Sequence, residues 1–331
     1  MAVLVTGGAG YIGSHMVLEL VGAGEKVVVL DNLSTGSRIA VPAGVPLVVG
    51  DIGDQYAVEA LIRKHAVRAV VHFAGSIVVP DSVADPLSYY HNNTVKSRAL
   101  MAAAVAAGVP HFIFSSTAAV YGMPGVNPVT ETTDLKPISP YGSSKLMTEM
   151  MLADTAFAHP FNYVALRYFN VAGGDPQGRT GQSTPRATHL IKVACQTALG
   201  QHSELKVFGT DYPTPDGTCV RDYIHVSDLA RAHVSALRYL RDGGASEVFN
   251  CGYGGGYSVL DVIAAVKKVS GADFKVTYAP RRAGDPAALV ADATRIHNVL
   301  GWQPQLNDLE TIVTHAFAWE ARIAGKLAKA S

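Results

Sequence analysis

The sequence has no charge imbalance, few cysteines and no long apolar run. Among its 331 residues, 27 basic side chains balance 27 acidic ones, so no strong overall field attracts nucleic acid or an anionic membrane. Cys195, Cys219 and Cys251 are scattered and form no CxxC pair, which argues against a disulfide framework and a zinc site. No apolar stretch approaches the roughly 20 residues of a membrane span. A small molecule is therefore the favoured partner.

A metal motif and a leader-like start are also missing. The 12 histidines form no HExxH pattern, and no metal site is proposed. The opening MAVLVTGGAG runs directly into strand-like sequence without the charged and apolar regions of a signal peptide. Cytoplasmic residence is the resulting expectation. With 48% hydrophobic and 16% charged residues, the chain can bury a large core in one large domain or two lobes.

Short β-branched runs alternate with helix-length segments. The runs AVLVT, KVVVLD, LVVGD, RAVVHFAG and HFIFSS, with NYVALRYFN as a further strand, are typical of parallel strands covered by helices on both faces. The pattern predicts an α/β fold with a Rossmann-type doubly wound parallel sheet. A Gly- and Pro-rich stretch, GGDPQGRTGQSTPR, then opens a second region. We predict a domain at 1–170 and a smaller C-terminal mixed α/β lobe at 171–331, some of whose strands and helices return to the first domain.

A glycine-rich turn directly follows the first predicted strand. In TGGAGYIGSH, Gly8, Gly10 and Gly13 satisfy G-x-G-x-x-G, while Gly7 begins the related G-x-x-G-x-x-G. Such glycines permit a tight turn and let a helix N-terminus approach a pyrophosphate. Asp31 ends the next strand, where an acid accepts hydrogen bonds from a ribose 2′-hydroxyl and repels a 2′-phosphate. The first domain is therefore predicted to bind NAD rather than NADP.

A second pattern, SPYGSSK, places Tyr141 and Lys145 on one face of a predicted helix. Alone, the pair also fits an exposed polar surface. Together with TGGAGYIG, HFAG and SSTAAVYG, it resembles the extended short-chain dehydrogenase/reductases. The resemblance implies that Tyr141 is the general acid or base, that Lys145 holds the nicotinamide ribose and lowers the pKa of Tyr141, and that Thr117 completes the catalytic set.

The same resemblance implies a cofactor site along the carboxyl edge of the sheet. The predicted NAD contacts are Gly7, Gly10, Tyr11, Ile12, Gly13, Asp31, Asn32, Asp51, Ile52, Phe73, Ala74, Gly75, Asn92, Ser115, Tyr141, Lys145 and Tyr168. Asp51 is a candidate adenine contact, although an Asp at a strand end is more often a turn residue. Asn92 and Tyr168 fit a structural role equally well. Ile77 stands where many relatives carry a cofactor-contacting lysine, so NAD is expected to be held less tightly.

Further segments extend the resemblance to the UDP-glucose 4-epimerase branch of this family. They are SHMVLEL, LDNLSTGS, LRYFNVAGGDPQG, VFGTDYPTPDGTCVRDYIHVSDLA and APRRAGDPAALVAD, and they cover nearly the whole chain. The resemblance implies an enzyme of galactose metabolism that oxidises C4 of a UDP-hexose, lets the 4-keto sugar rotate and reduces its opposite face. UDP-galactose and UDP-glucose are the expected pair, the 171–331 lobe is expected to bind the UDP-sugar, and a homodimer is the family expectation.

The two residues that follow Thr117 distinguish epimerisation from the related elimination and decarboxylation reactions. Sugar-nucleotide dehydratases place Asp and Glu there, and UDP-glucuronate decarboxylases keep a Glu, whereas this chain has Ala118 and Ala119. Without a carboxylate, reduction of the ketone is favoured over elimination. Two alternatives stay open: an epimerase for UDP-xylose/arabinose or UDP-N-acetylhexosamines, and a non-catalytic NAD-binding regulator, against which the intact Thr117, Tyr141 and Lys145 argue.

The substrate contacts are likewise implied by the resemblance. They are Thr117, Tyr141, Asn170, His189, Leu190, Val207, Phe208, Arg221, Arg282, Asp285 and Leu289. Arg221 and Arg282 match phosphate-clamping arginines, whose planar guanidinium groups can grip two oxygens. His189 departs from the asparagine of other relatives. Leu289 stands where some relatives have a tyrosine beside the hexose, so N-acetylated hexoses or UDP-pentoses are also expected to fit.

Overall fold

A seven-stranded sheet forms the centre of the computed structural model, which describes residues 1–184, 188–282 and 284–330. In spatial order its strands are β3 (Leu47–Val49), β2 (Lys26–Asp31), β1 (Ala2–Thr6), β4 (Val67–His72), β5 (His111–Thr117), β6 (Asn162–Tyr168) and β10 (Glu247–Cys251). All neighbouring strands are parallel. The predicted doubly wound α/β fold is confirmed. Strand order reverses at β1, and ligands bind at the carboxyl edge of such a switch point.

Helices cover both faces of this sheet. On one face lie α1 (Tyr11–Gly22), α8 (Val226–Arg241) and α10 (Thr294–Leu300); on the other lie α2 (Gln55–Lys64), α5 (Lys96–Ala106) and α6 (Pro140–Ala158). Side chains alternate between the two faces of a strand, so Val3 and Val5 of β1 enter one core while Leu4 enters the other. This explains why the strands are apolar throughout. Two short helices, α3 (Val79–Ala84) and α4 (Pro86–Tyr89), and a π-helical turn at Tyr90–Val95 precede α5.

The second half of the chain builds two smaller sheets. β9 (Val220–His225) pairs with β7 (Asn170–Ala172), β11 (Gly256–Ser258) and β13 (Ala288–Leu289), while β8 (Leu205–Phe208) pairs with β12 (Val276–Ala279). They share a core with α7 (Leu190–Ala198), α9 (Val259–Ser270) and α11 (Leu309–Ala330). β10 and α8 pack on the first half, against β6 and α1. The division at residue 170 stays a prediction.

The predicted strand NYVALRYFN is two strands. β6 ends at Tyr168, and β7 begins at Asn170 and pairs with β9 in a different sheet. Between them Phe169 is buried in a small cluster with Ala118 and Tyr121, which turns the chain out of the first sheet. Among the described helices, none has both the length and the apolar character that crossing a membrane requires.

Candidate active site

The glycine turn after β1 packs tightly against the end of β4. Gly7 has a φ of +69°, and a Cβ there would lie only 2.6 Å from the Ala74 nitrogen. A Cβ on Gly13 would lie 2.1 Å from the Gly7 carbonyl oxygen, so the first turn of α1 needs glycine to approach the strand. The sequence thereby fixes the α1 N-terminus at the carboxyl edge of β1 and β4. Tyr11, in that first turn, donates from its hydroxyl to the Gly173 carbonyl oxygen at 2.8 Å.

Asp31 lies at the end of β2 beside this turn. Its carboxylate accepts the N–H groups of Ala9 at 2.9 Å and Leu33 at 2.8 Å, which fixes its orientation. The glycine turn at 7–13, where a side chain would occupy the space, fits the pyrophosphate of a dinucleotide, and the oriented Asp31 carboxylate beside it fits the adenosine ribose. Asn32 is exposed and accepts the Ser34 N–H.

Two other predicted cofactor contacts have structural partners. Asp51 forms an ion pair with Lys96 at 2.5 Å and accepts the Gly53 N–H at 2.8 Å. Ile52 is buried in the apolar core on the α2 and α5 face of the sheet. At these two positions, loop anchoring and core packing account for the side chains, and their contact with a nucleotide stays a prediction.

The predicted catalytic helix α6 begins beside Thr117. Pro140 occupies its first turn, and the Ser139 hydroxyl caps the helix by accepting the Gly142 N–H at 3.2 Å. A Cβ on Gly142 would lie 2.7 Å from the Ala119 carbonyl oxygen, so glycine lets the helix approach the turn after β5. This approach places the Tyr141 phenol close enough to the Thr117 hydroxyl for that hydroxyl to affect its pKa.

The electrostatic environment of Tyr141 differs from the expectation. Burial raises the pKa of the phenol, and the Thr117 hydroxyl opposes this rise without cancelling it. The expected lowering of the Tyr141 pKa by Lys145 is therefore not seen in the protein without its cofactor. A nearby cation is required for a phenolate at neutral pH, and Lys145 and an oxidised nicotinamide ring are the two candidates.

Lys145 is buried one helical turn after Tyr141. Its ammonium donates to the Ser115 carbonyl oxygen at 2.9 Å and lies 4.9 Å from the centre of the Phe114 ring. A Cβ on Gly75 would lie 3.8 Å from the ammonium nitrogen, so Lys145 borders the predicted cofactor edge formed by 73–75. Burial lowers the pKa of Lys145 to about 8, and Glu149 opposes this lowering.

The neighbouring predicted cofactor residues lie at the same edge. The Tyr168 hydroxyl is hydrogen-bonded to Ser115, and the Asn92 amide donates to the Ser76 hydroxyl at 2.9 Å. Sequence reasoning missed Asn93, which has more contacts here: it accepts the Ser76 N–H at 2.7 Å and donates to a serine hydroxyl of α6. No sequence signal marked Asn93, because the π-helical turn that holds it, a feature frequent at functional sites, is visible only in the structure.

A second missed residue is His72, at the end of β4. Its ring is hydrogen-bonded to Thr6 at 2.7 Å and Ser97 at 2.8 Å. Burial, with a smaller effect of Lys145, lowers the pKa of His72 to about 3, so the ring is neutral. A polar residue inside the apolar run AVVHF was the sequence signal.

The predicted phosphate-clamping arginines come from different segments. Arg221 lies on β9 in register with Leu289 of β13, and its guanidinium lies 3.5 Å from the Asp285 carboxylate. Arg282 stacks over the Phe208 ring, 3.8 Å from its centre. Since the Asp285 N–H also donates to the Arg282 carbonyl oxygen, successive contacts link five predicted substrate residues: Leu289, Arg221, Asp285, Arg282 and Phe208.

Asn170, His189 and Leu190 line a small cavity of about 20 Å³ together with Gln182. The His189 ring is hydrogen-bonded to Gln182 at 2.7 Å, and burial followed by the charge of Lys192 lowers its pKa. These three predicted contacts are therefore neighbours. Val207, by contrast, is fully buried in the second core, and its contact with a ligand stays a prediction.

Leu289 packs against the turn that follows Thr117. It contacts a cluster formed by Ala118, Val120, Tyr121, Val129, Phe169 and Ala291. The residue predicted to set the volume beside the sugar is therefore close to the candidate catalytic group, and the side chains of the intervening turn are apolar or aromatic.

Comparison with known proteins agrees with this geometry. The model of the NAD dependent epimerase/dehydratase family matches residues 3–252. A UDP-glucose 4-epimerase of Azospirillum brasilense is 57% identical over 99% of this chain and 94% of its own length. A UDP-glucose 4-epimerase from Brucella ovis, solved in complex with NAD, has a TM-score of 0.94 at 45% identity, covering 96% of this chain and 97% of that one.

A UDP-Glc/GlcNAc 4-epimerase from Campylobacter jejuni has a TM-score of 0.86 at 50% identity, covering 97% of this chain and 99% of that one. The extended short-chain dehydrogenase/reductase resemblance is thereby confirmed. Because both the family model and these relatives extend across the glycine turn, Thr117 and the Tyr141 helix, the chain belongs to the NAD dependent epimerase/dehydratase family.

Proposed function

We propose that this chain interconverts UDP-galactose and UDP-glucose by inverting C4 with bound NAD. The observation that carries the proposal is the juxtaposition of Thr117 and Tyr141, whose pKa the Thr117 hydroxyl affects, with buried Lys145 one turn away at the edge formed by 73–75. The names of the relatives support the same reaction. The intact group also argues against a silent NAD-binding regulator.

Tyr141 acts as the general base and then as the general acid. It takes the proton of the C4 hydroxyl as the sugar is oxidised, and it returns a proton to the C4 oxygen when the ketone is reduced. Bound NAD supplies the hydride acceptor and donor. Thr117 acts on the phenol through its hydroxyl. We expect the Lys145 ammonium, one helical turn away, to stabilise the phenolate once the cofactor is bound.

The 4-keto sugar must turn over between the two half-reactions while the nucleotide stays bound. Arg221 and Arg282 hold the diphosphate, since guanidinium groups bind phosphate oxygens in a fixed geometry. Ala118 and Ala119 present no acid or base for elimination, so the ketone persists until it is reduced. The result is inversion at C4 without net redox change.

The direct test uses purified protein and UDP-galactose without added NAD, with the C4 configuration followed by proton NMR. Conversion to UDP-glucose is expected, and it would also show that the cofactor travels with the protein despite the exposed Ile77. Absence of conversion of UDP-galactose after NAD is supplied would contradict the proposal.

Leu289 favours a second substrate class. A leucine is shorter than tyrosine and lacks its hydroxyl, so it leaves room beside the hexose for an N-acetyl group. We expect Leu289→Tyr to lower the kcat/KM ratio of UDP-N-acetylglucosamine to UDP-glucose at least about tenfold, because the added volume clashes only with the acetylated sugar. Kinetics with both substrates measure the ratio. Leu289→Ile is the volume-matched control, and an unchanged ratio in Leu289→Tyr would rule out this role.

We also propose that the protein is a homodimer through α5 and α6. Met147, Met150 and Phe157 are exposed on α6, and Phe157 is 96% exposed. Their spacing places them on one helix face, beside a groove of about 440 Å³ between the two helices. Two helices from each copy would bury these apolar side chains in a four-helix contact.

Sedimentation velocity tests this interface. We expect the wild-type chain to sediment as a dimer and the double variant Met150→Glu, Phe157→Glu to sediment as a monomer, because buried carboxylates oppose association. Tyr278→Glu alters an exposed aromatic residue in the second half and is expected to leave the dimer intact. A dimer that survives the double variant would place the interface elsewhere.

Cytoplasmic residence is part of the same proposal. Cys195, Cys219 and Cys251 are free and buried, which suits a reducing compartment.

A further inference from the structure

Asp222, next to Arg221 on β9, has a fully buried side chain. One carboxylate oxygen accepts the Tyr253 N–H at 3.0 Å. The other accepts the N–H groups of Gly254 at 3.0 Å and Ala291 at 3.2 Å. Its hydrogen-bond donors are thus main-chain groups. A buried carboxylate is costly unless its oxygens are satisfied, so this arrangement binds β9 firmly to the segments that supply the donors.

The donors come from two segments that are distant in sequence. Tyr253 and Gly254 follow β10, whereas Ala291 follows β13. A Cβ on Gly252 would lie 2.6 Å from the Asp222 carboxylate, so glycine is needed there for the approach. Asp222 therefore joins three parts of the chain at one point.

The segments joined in this way carry the predicted UDP-sugar contacts. β9 pairs Arg221 with Leu289 and Tyr223 with Asn170. β13 is only two residues long, so its own ladder holds it weakly. The hydrogen bond from the Ala291 N–H to Asp222, together with bonds between 127–129 and 290–292, holds the chain just beyond Leu289.

We propose that Asp222 is a positioning residue that aligns Arg221 and Leu289 for the nucleotide sugar. It acts through β9 and β13 and does not contact the sugar. This inference rests on the proposed function, because it assumes that Arg221 and Leu289 contact the UDP-sugar. It adds a residue that neither the sequence patterns nor the comparisons single out.

Asp222→Asn is the primary test. Its amide group accepts at only one atom and directs N–H groups at the donors on the other side, so in either orientation at least one of the three main-chain donors loses its acceptor and the junction is weakened. We expect the Kd for UDP and the KM for UDP-galactose to rise about tenfold, with kcat within about threefold of wild type and bound NAD unchanged. Calorimetry with UDP, steady-state kinetics and NAD content provide the readouts.

Asp228→Asn is the matched control. Asp228 is also a fully buried carboxylate and accepts the N–H groups of Gln305 at 3.1 Å and Leu306 at 2.8 Å, but it lies in the first turn of α8. We expect this variant to lower the Tm while leaving the Kd for UDP within about twofold of wild type. Equal Kd values for UDP in the Asp222 and Asp228 variants would mean that Asp222 contributes only to stability, and this result would overturn the inference.

A double-mutant cycle with Arg221→Ala tests the path of the effect. If Asp222 acts through Arg221, the combined variant binds UDP more tightly than the product of the two single effects predicts. Independent effects of the two substitutions on the Kd for UDP would overturn the inference.

Should Asp222→Asn not fold, Gly252→Ala displaces the carboxylate more gently and is expected to weaken UDP binding in the same way. A wild-type chain that fails to bind UDP refutes the proposed function itself, whereas normal UDP binding by both of these variants refutes only the role of Asp222.

Discussion

Tyr141→Phe is expected to lower kcat for UDP-galactose about 10³-fold or more while the protein stays folded with NAD bound. Phenylalanine keeps the ring of this buried side chain and removes only the hydroxyl, which lies near Thr117. General acid–base catalysis typically contributes about 10²- to 10⁴-fold, and this hydroxyl serves both half-reactions. Stopped-time NMR assays over hours measure the residual rate.

Tyr163→Phe is the matched control for this variant. Tyr163 is a buried tyrosine near the start of β6. It lies at the amino ends of the parallel strands, opposite the carboxyl edge that holds the candidate site. Its loss of a hydroxyl is expected to change kcat less than about twofold. A Tyr141→Phe enzyme with more than about a tenth of the wild-type kcat would remove Tyr141 from the role of acid and base.

The parts of the site that could be predicted from the sequence are those formed by residues close to one another along the chain. The glycine turn and SPYGSSK each encode a complete turn and helix start, and the structure places both at the carboxyl edge of the sheet. Gly142, inside SPYGSSK, even accounts for the close approach of α6 to the turn after Thr117. Such motifs are readable because their partners lie a few residues away.

The parts that were missed depend on contacts between distant segments. Asp222 accepts hydrogen bonds from residues 31 to 69 positions away, and Asn93 reaches a serine 51 positions away. No spacing rule encodes such pairs. The break between β6 and β7 was missed for the same reason, because Phe169 leaves an apolar run to enter a cluster with Ala118 and Tyr121.

The raised pKa of Tyr141 is also a property of the folded environment. Sequence spacing placed a lysine on the same helix face, yet burial of the phenol dominates. A phenolate at neutral pH requires a shift of about 3 pKa units from the ordinary value near 10, or about 4 kcal/mol. The cation that supplies this energy is therefore as important to catalysis as the base itself.

Lys145→Ala is expected to move the acid limb of the kcat/KM profile upward by about 2–3 pH units and to lower activity at pH 7.5 about 10²- to 10³-fold. Burial raises the Tyr141 pKa, and we expect the ammonium to offset this rise in the cofactor-bound enzyme, so that its removal lowers the phenolate fraction tenfold for each unit by which the pKa increases. The ammonium itself has a pKa lowered to about 8. Its charge is present below that pH and lost above it, so wild-type activity is expected to decline as pH rises through about 8, and this alkaline limb disappears in the variant.

Profiles from pH 5 to 10, with NAD content measured at each pH, separate this effect from loss of cofactor. Lys136→Ala removes an exposed ammonium that is paired with Asp134, and both limbs are expected to stay in place. An acid limb unchanged in Lys145→Ala would mean that Lys145 does not lower the pKa of the phenol. The bound nicotinamide ring would then be the remaining source of positive charge, and Lys145 would serve only to hold the cofactor.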